Sequence, residues 1–401
     1  EVEMVLNGKA ASSIPGYPRQ DEDVMEKTVS ANQGYYRDYR IFESLSLALR
    51  GAILLFPLFL LLIYLRFGRE REFMVPETLS YAPQKRKPWL VNLVFKGDPF
   101  SFDNDGLYAT ILDLSRKGLI EIEPPSSGRG LMADGPSNSG AGLRIRLLKN
   151  PGPDDDPYEH KVLNFLSRNS TAGVFDSAEF RDRIESCTSR SILGTRVHDA
   201  HRLKDIHQDL KDLLSSPDGN ASREFASNGR PLMMAVSGIA LLLLLAVGYL
   251  NSSSAFLYPS LAVAFPAAVV IFLQSLPPML APSVLFGRWK ESYHQEKMEW
   301  DAFRTMLSDF AMIKKYAPQD LNMWKEWLVY GTALGVGESV ARAMESLEVH
   351  VPEAATFVYM HGFFPDVYRQ STPPSSSSSG GFSGGGFGGG GGFGGGGGGA
   401  R

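Results

Sequence analysis

The chain has 401 residues, of which 43% are hydrophobic and 21% charged, and 40 Lys/Arg against 44 Asp/Glu give a net charge of −4. This balance excludes a globally basic protein that binds nucleic acid by charge alone. The only cysteine is Cys187, which excludes an intrachain disulfide framework and cysteine-rich zinc sites. The chain begins at Glu1 without a methionine or a charged-then-apolar leader, so we expect a mature product or a fragment.

The first 44 residues are polar and too few for an independent core, so we interpret 1–44 as an extracytoplasmic remnant. Tyr35, Tyr36 and Tyr39 stand just ahead of the first long apolar run. Such amphipathic rings suit the membrane–water interface, where each ring is half wet. A solvated tail is the alternative interpretation, and the sequence leaves both open.

Three apolar runs are long enough to cross a bilayer as helices, at 45–65, 231–250 and 260–280. A run of about 20 residues with a rise of about 1.5 Å per residue spans a hydrocarbon core of about 30 Å. The only charged residue in these runs is Arg50, close enough to one end for its long stem to reach the headgroups. Residues 251–259 have room only for a tight external turn, so the last two spans form a hairpin.

The basic residues that flank the spans predict the orientation. Residues 1–49 carry five Lys/Arg, and residues 66–97 carry seven. Because positively charged loops stay in the cytoplasm, we expect a multi-pass protein of the cell membrane with its N-terminus outside and its C-terminus in the cytoplasm. We interpret 66–97 as a basic juxtamembrane linker, in which Lys85, Arg86 and Lys87 either attract anionic lipid or are solvated.

A helix and two strands are predicted after this linker. Apolar residues recur at helical spacing over 102–118, where Asp103 can cap the start and Gly118 can end the helix. Strands with alternating apolar residues follow at 119–123 and 143–149, joined by a loop rich in Gly, Ser and Pro. This order of elements predicts a winged-helix-like unit.

The pattern that follows is helical. Further helical segments are predicted at 157–167, 177–184 and 189–214. With the winged-helix-like unit they make 98–230 a cytosolic α+β domain. This range carries 17 Lys/Arg against 21 Asp/Glu, a net charge of −4, whereas contacts to phosphates need a positive surface.

The range 281–370 predicts a second cytosolic block that is helical and aromatic. Two stripes of large apolar side chains carry this prediction, and they consist of Trp289, Trp300, Phe303, Leu307 and Phe310, then Trp324, Trp327, Leu328, Tyr330 and Leu334. Gly335 and Gly337 interrupt the helix before 338–347 resumes it. Residues 371–401 are Ser-rich and then almost pure Gly, a composition typical of a disordered tail.

Three stretches of the chain resemble one family of membrane proteins. They are LYATILDL at 107–114 with KGLI at 117–120, WLVY at 327–330 with ALGV at 333–336, and SGGFSGGG at 379–386. Together with the order of spans and blocks, they are similar to the domain of unknown function 2207 family, predicted membrane proteins of the YciQ-like kind. The resemblance implies a signal peptide and a β-rich ectodomain before the first span, of which 1–44 is a remnant, and it implies no catalytic residue.

One predicted helix carries His198 and His201, three residues apart, with His207 further along. Residues at this spacing share a helix face, so a bound metal ion is one alternative. Arg196 and Arg202 crowd the same helix, which favours a solvated charged helix. We therefore predict no metal site.

No other pattern predicts chemistry. Asp154, Asp155 and Asp156 lie among prolines, which favours a turn and a helix start. Cys187 has no nearby histidine that would act as its base. We predict no catalytic, cofactor-binding or metal-binding residue, no cofactor and no small-molecule ligand, and hence that the protein is not an enzyme.

The sequence thus predicts a multi-pass α-helical membrane protein with three transmembrane helices, an α+β winged-helix-like cytosolic module and a helical cytosolic block. Its expected partners are the lipid bilayer and either another protein or a second copy of the chain. We interpret it as a non-enzymatic scaffold or signalling protein. One alternative is a membrane-tethered nucleic-acid binder that acts through the winged-helix-like unit. The other is an accessory subunit of a transporter, although Gln274 is the only polar group deep in the spans that suggests a transport path.

Overall fold

Three long apolar helices pack on one another in one hydrophobic cluster, and a mainly helical domain encloses a second cluster. The computed structural model describes residues 24–70, 72–123, 142–149, 156–192, 197–215, 217–218, 220–254 and 256–372. Most of the predicted loop 124–142 and almost all of the predicted tail 371–401 lie outside the described residues.

The elements follow the chain in this order: α1 Val24–Ile63, continued by a π-helical segment Tyr64–Gly68, α2 Pro88–Phe95, α3 Asn104–Arg116, β1 Ile120–Glu123, β2 Arg144–Leu147, α4 Pro157–Arg168, β3 Val174–Asp176, α5 Ser177–Ile192, α6 Val197–Leu214, α7 Ala221–Phe225, β4 Ala226–Ser227, α8 Arg230–Ser254, α9 Pro259–Leu280, β5 Arg288–Trp289, α10 Tyr293–Ser308, α11 Phe310–Tyr316, α12 Leu321–Ala333, α13 Gly337–Ser346 and α14 Pro352–Ser371.

Helices α1, α8 and α9 are each long and apolar enough to cross a membrane. Large apolar side chains cover the outside of this three-helix bundle, where Leu54 is 76% exposed and Leu242 is 68% exposed. A continuous surface of this kind is stable against lipid tails and not against water. The interior contains Ala264, Ala267 and Ala268 of α9, small residues that let the helix backbones approach closely.

The first apolar helix is much longer than predicted. It begins at Val24, so 24–44 is helical and not a separate polar tail. The ring of Tyr35 stacks on that of Tyr258 with 5.4 Å between centroids, and its Oη donates a hydrogen bond to the carbonyl of Leu257 at 3.3 Å. Tyr35 thus packs over the connection between α8 and α9, whereas Tyr36 and Tyr39 are exposed. The placement of these rings at the membrane–water interface stays a prediction.

That connection is shorter than the predicted turn 251–259. Helix α8 continues to Ser254, and α9 begins at Pro259. A proline at the first helical position costs no hydrogen bond, since the first N–H groups of a helix have no partner within it. The hairpin itself is as predicted.

Helix α3 is buried from Gly106 to Leu114, and the strands beside it have one buried and one exposed face. Asp103 caps α3 by accepting a hydrogen bond from the backbone N–H of Asp105. Strand β2 pairs antiparallel with both β1 and β3, which places Ile122, Ile145 and Phe175 side by side. The predicted helix and the two predicted strands are confirmed, whereas the three-residue strand β3 was too short to be recognised in the sequence.

The predicted linker 66–97 and the predicted separation of two blocks are wrong. Helix α2 lies inside the linker range and is almost wholly buried, because its sequence PWLVNLVF is apolar except for Asn92, which donates hydrogen bonds to Asp103 and to the carbonyl of Ala333. The ring of Phe95 stacks on Trp289 and Trp300, with centroids 5.9 and 6.0 Å apart. A single hydrophobic core therefore takes residues from α2, from the predicted module 98–230 and from the predicted block 281–370.

Two predicted helix boundaries are also wrong. The helix predicted at 177–184 is α5, which continues to Ile192, and most of the helix predicted at 189–214 is α6, which begins at Val197. The two helices pack against each other and so are not one rod. Both are amphipathic, and a change of direction between amphipathic helices leaves little trace in a pattern of apolar residues.

The aromatic stripes of the last third are mostly confirmed. Trp300, Phe303 and Leu307 are buried as predicted. Trp289 lies in strand β5, which pairs with β4, and Phe310 is 47% exposed, so neither is part of a buried helix face. The positive φ of Gly335 follows the end of α12, as predicted, because glycine adopts this left-handed conformation without strain.

Candidate functional site

The ends of α1, α8 and α9 that lead into the domain meet in one place. We call this place the junction; it consists of residues 66–70, 72–73, 223–230 and 281–294. Three glycines bring the segments together: a Cβ atom on Gly68 would lie 1.8 Å from the carbonyl oxygen of Leu285, one on Gly287 would lie 1.9 Å from that of Ser227, and one on Gly229 would lie 2.3 Å from the carbonyl carbon of Phe286. No side chain fits at these contacts, so the backbones touch directly.

One carboxylate holds two of these segments to the domain. The Oδ2 atom of Asp98 accepts hydrogen bonds from the backbone N–H and the hydroxyl of Ser283, at 3.1 and 2.9 Å. The same oxygen lies 2.7 Å from a guanidinium nitrogen of Arg230. Because Arg230 begins α8 and Ser283 follows α9, Asp98 fastens both helices of the hairpin to the segment after α2.

A second ion pair lies deeper in the domain, close to the junction. Arg86 donates two hydrogen bonds to Glu296, at 2.6 and 2.8 Å, and its guanidinium lies 5.0 Å from the centre of the Phe225 ring. The hydrogen bond to Glu296 raises the pKa of Arg86, against the opposing effect of burial. Lys87 pairs with Glu159 at 2.8 Å. Free solvation is therefore wrong for Arg86, whose side chain is 26% exposed and doubly hydrogen-bonded to Glu296, whereas Lys87 is paired but 42% exposed, and its contact with lipid stays a prediction.

A cavity of about 490 Å³ opens at the junction. Its lining includes the side chains of Arg69, Glu70, Phe73, Arg288, Lys290 and His294. Glu70 accepts a hydrogen bond from the backbone N–H of Trp289 at 2.8 Å, which ties the segment after α1 to strand β5. Burial raises the pKa of Glu70, although this hydrogen bond and the nearby His294 and Arg288 lower it in part. The cavity thus has a half-buried acid, Glu70, an exposed acid, Glu291, and several cations in its wall.

A separate polar cluster joins α2, α3 and α14. The Nε2 atom of His361 lies 2.9 Å from Oδ1 of Asp105, and Lys96 donates to Oδ2 of Asp105 at 2.6 Å and also contacts Asp103. Burial raises the pKa of Asp105, but the hydrogen bonds from His361 and Lys96 outweigh this effect and lower it overall. The ring of Tyr108 covers His361 at 4.5 Å between centroids, and burial raises the pKa of the Tyr108 hydroxyl. The arrangement can hold three helices together through charge.

Of the three histidines in the predicted helix, the structure describes the side chains of His201 and His207. The side chain of His198 lies outside the described residues, His201 is exposed, and the ring of His207 stacks on Tyr368 and contacts the hydroxyl of Ser371 at 3.1 Å. Within the part of the chain that the structure describes, no group of three His, Cys, Asp or Glu side chains is arranged to hold a metal ion.

The other residues singled out in the sequence have structural places. Asp156 caps α4 by accepting from the backbone N–H groups of Tyr158 and Glu159, as predicted, while Asp154 and Asp155 lie outside the described residues. The thiol of Cys187 is buried. The amide nitrogen of Gln274 lies 3.4 Å from the carbonyl of Ile53 within the bundle.

Sequence reasoning missed the junction. Glu70, Asp98 and Ser283 are ordinary polar residues in the sequence, and nothing local indicates that they converge. A glycine near the domain end of each apolar helix was the available signal. Gly68 ends the first helix, Gly229 precedes the second, and Gly287 follows the third. Glycines at such positions indicate a close approach of backbones.

A comparison with protein families gives one match. The family model described as "Predicted membrane protein (DUF2207) C-terminal domain" matches residues 78–344, a range that begins before α2 and ends within α13. It therefore includes the helices α8 and α9 and most of the junction. No curated protein and no solved structure matches the chain.

Proposed function

The chain belongs to the DUF2207 family of predicted membrane proteins. We propose that it is a non-enzymatic scaffold or signalling protein that spans the cell membrane three times. The N-terminus lies outside, and the domain built from α2 to α7 and from α10 to α14 lies in the cytoplasm. The excess of Lys/Arg in 66–97 over 1–49 supports this orientation.

The observation that carries the proposal is the contact of Asp98 with both Arg230 and Ser283. Two helices of the bundle are fixed to the domain through one largely buried carboxylate. At Gly68, Gly229 and Gly287 the backbones of the chain segments are in direct contact. A change in the packing of α8 and α9 therefore moves groups in the domain. Such a coupling between the membrane helices and the domain supports a signalling role.

A winged-helix-like unit is part of this proposal, used for packing rather than for reading nucleic acid. The order α3, β1, β2 supports it, with β3 as a third strand. Helix α3 is buried from Gly106 to Leu114 between α2 and α12. A helix covered in this way has no face to place in a groove, which favours a protein partner over nucleic acid.

Exposed apolar side chains favour one region for that partner. Phe310, Tyr316, Leu321 and Met323 lie close together in the chain, on α11 and at the start of α12, and each is exposed. Exposed apolar groups of this kind on a charged domain are typical of interaction surfaces. We call these four residues the apolar patch.

The orientation is tested by labelling single cysteines in intact cells with a membrane-impermeant maleimide. The natural Cys187 is 4% exposed, so it gives little background. Phe256→Cys lies between α8 and α9 and is expected to react, whereas Lys314→Cys lies on α11 and is expected to react only after the cells are opened. Labelling of Lys314→Cys in intact cells would contradict the proposed orientation.

The partner is tested by affinity purification from native membranes. The variant Phe310→Ser/Met323→Ser is compared with the wild type and with Lys314→Gln, which changes an exposed residue of the same region outside the patch. Lys315 is kept, because its ammonium group lies 5.1 Å from the centre of the Tyr316 ring. We expect a specific co-purifying protein to be lost only with the patch variant. Deletion of 282–370 would not isolate the patch, since it also removes nearly half of the buried residues of the shared core.

A further inference from the structure

The cavity at the junction has cationic side chains from two separate segments of the chain. Arg69 comes directly after the first apolar helix, while Arg288 and Lys290 come shortly after the third. At about 490 Å³ the cavity has the size of a site for a small polar group. Its position at the helix ends sets it at the level of the membrane surface once the bundle is in a bilayer.

Three cations of the wall, Arg69, Arg288 and Lys290, stand beside two acids, Glu70 and Glu291. Arg69 and Arg288 form no salt bridge among the residues that the structure describes, although the charge of Arg288 lowers the pKa of Glu70 in part. Lys290 donates to the carbonyl of Arg223 at 2.6 Å, which leaves two of the three donors of its ammonium group. Of the two acids in the wall, Glu70 is bound to the N–H of Trp289, and Glu291 is exposed.

Apolar side chains stand beside these cations in the sequence and remain exposed. Phe67 and Leu285 lie just before Arg69 and Arg288, and Leu280 ends α9 with 82% of its surface exposed. A free phosphate ion has no apolar part that could contact these side chains. A phospholipid can contact both the cations and the apolar side chains, because its anionic headgroup binds cations and its acyl chains pack against an apolar surface.

We propose that this cavity binds the headgroup of an anionic phospholipid of the inner leaflet, with Arg69, Arg288 and Lys290 around the phosphate and the acyl chains along the exposed apolar side chains of the helix ends. The inference rests on the proposed placement of the helices in the membrane and is independent of any protein partner. The headgroup then links the segment after α1 to the segment after α9.

The test uses the full chain in nanodiscs of phosphatidylcholine with and without phosphatidylglycerol. After transfer to detergent, lipid that stays bound is measured by native mass spectrometry. We expect the wild type to retain phosphatidylglycerol in preference to phosphatidylcholine. We expect Arg69→Gln/Arg288→Gln to weaken this preference by about 30-fold, because each cation near a membrane surface strengthens the binding of anionic lipid by a factor of about five. Inorganic phosphate added in excess is expected not to displace the lipid.

The control is Lys314→Gln/Lys315→Gln, which removes the same charge from exposed positions outside the cavity lining. It is expected to retain phosphatidylglycerol as the wild type does, and all three proteins are expected to unfold at the same temperature in pure phosphatidylcholine. Equal retention of the two lipids by the wild type, unchanged retention by the cavity variant, or displacement by inorganic phosphate would each overturn the proposal. A chain that does not enter nanodiscs would instead refute the membrane placement.

Discussion

The Nε2 atom of His361 lies 2.9 Å from Oδ1 of Asp105, although 256 positions separate the two residues in the chain. His361 also places Nδ1 3.0 Å from the carbonyl oxygen of Phe357 in its own helix. The pair thus ties the last described helix, α14, to the start of α3, on the side of the domain where Lys96 reaches the same carboxylate. The pKa of Asp105, near the start of the domain, is therefore lowered in part by His361, near the end of the domain.

The first prediction concerns this pair. Asp105→Asn is expected to lower the free energy of unfolding by about 2 kcal/mol at neutral pH, because a hydrogen-bonded carboxylate is lost. The lowered pKa of Asp105 means that its contribution is present above the ordinary carboxyl pKa and is lost as pH falls through the folded value. Unfolding temperatures measured from neutral to acid pH are expected to converge for wild type and variant.

A matched control for this prediction is Glu338→Gln, which removes an exposed acid paired with Arg342 on α13. Exposed ion pairs contribute little, so its unfolding temperature is expected to stay near that of the wild type. A constant difference between Asp105→Asn and the wild type at every pH would show that the carboxylate charge does not carry the effect.

The second prediction concerns the junction. Asp98→Asn is expected to destabilise the protein by about 1–2 kcal/mol, because the asparagine keeps one acceptor for Ser283 and loses the charge that faces Arg230. In a double-mutant cycle, Asp98→Asn with Arg230→Gln is expected to cost less than the sum of the two single changes. Additive effects, measured by chemical unfolding in detergent, would mean that the two residues do not interact.

The third prediction concerns the close backbone contacts. Gly287→Ala is expected to destabilise the protein by about 1–3 kcal/mol, since its Cβ would overlap the carbonyl of Ser227 and force the segments apart. Gly51→Ala is the control, because a Cβ at that position of α1 meets nothing within 4 Å. Thermal unfolding of the two variants is the measurement, and an equal effect of both would argue against tight contact at the junction.

The fourth prediction concerns the shared core. Phe95→Ala is expected to cost about 3–5 kcal/mol, as for other large buried aromatic residues, whereas Phe256→Ala changes an exposed ring and is expected to be nearly neutral. Because Phe95 contacts both Trp289 and Trp300, the domain is expected to unfold in one transition. Tryptophan fluorescence and proteolysis of 98–230 followed together provide the measurement, and two separate transitions would contradict a single core.

Local pattern was sufficient for the parts of this protein that depend on neighbours in the chain. The three apolar helices, the cap of α3 by Asp103, the cap of α4 by Asp156 and the break at Gly335 all follow from residue type and spacing. Helix α2 was misread as linker, because three basic residues precede eight that are nearly all apolar, and a short apolar run has no periodicity to identify it. The basic residues and the shortness of the apolar run led to the prediction of a linker, whereas the structure shows a buried helix.

The sequence by itself determined that the chain has three helices able to cross a membrane, because the free energy of apolar surface depends on composition over about 20 residues. Only the tertiary structure decided that the predicted module and block are one domain, and that Asp98, Glu70 and the cations of Arg69 and Arg288 meet at one junction. Those contacts join residues distant in the chain, and their energy depends on positions in space that no local pattern encodes.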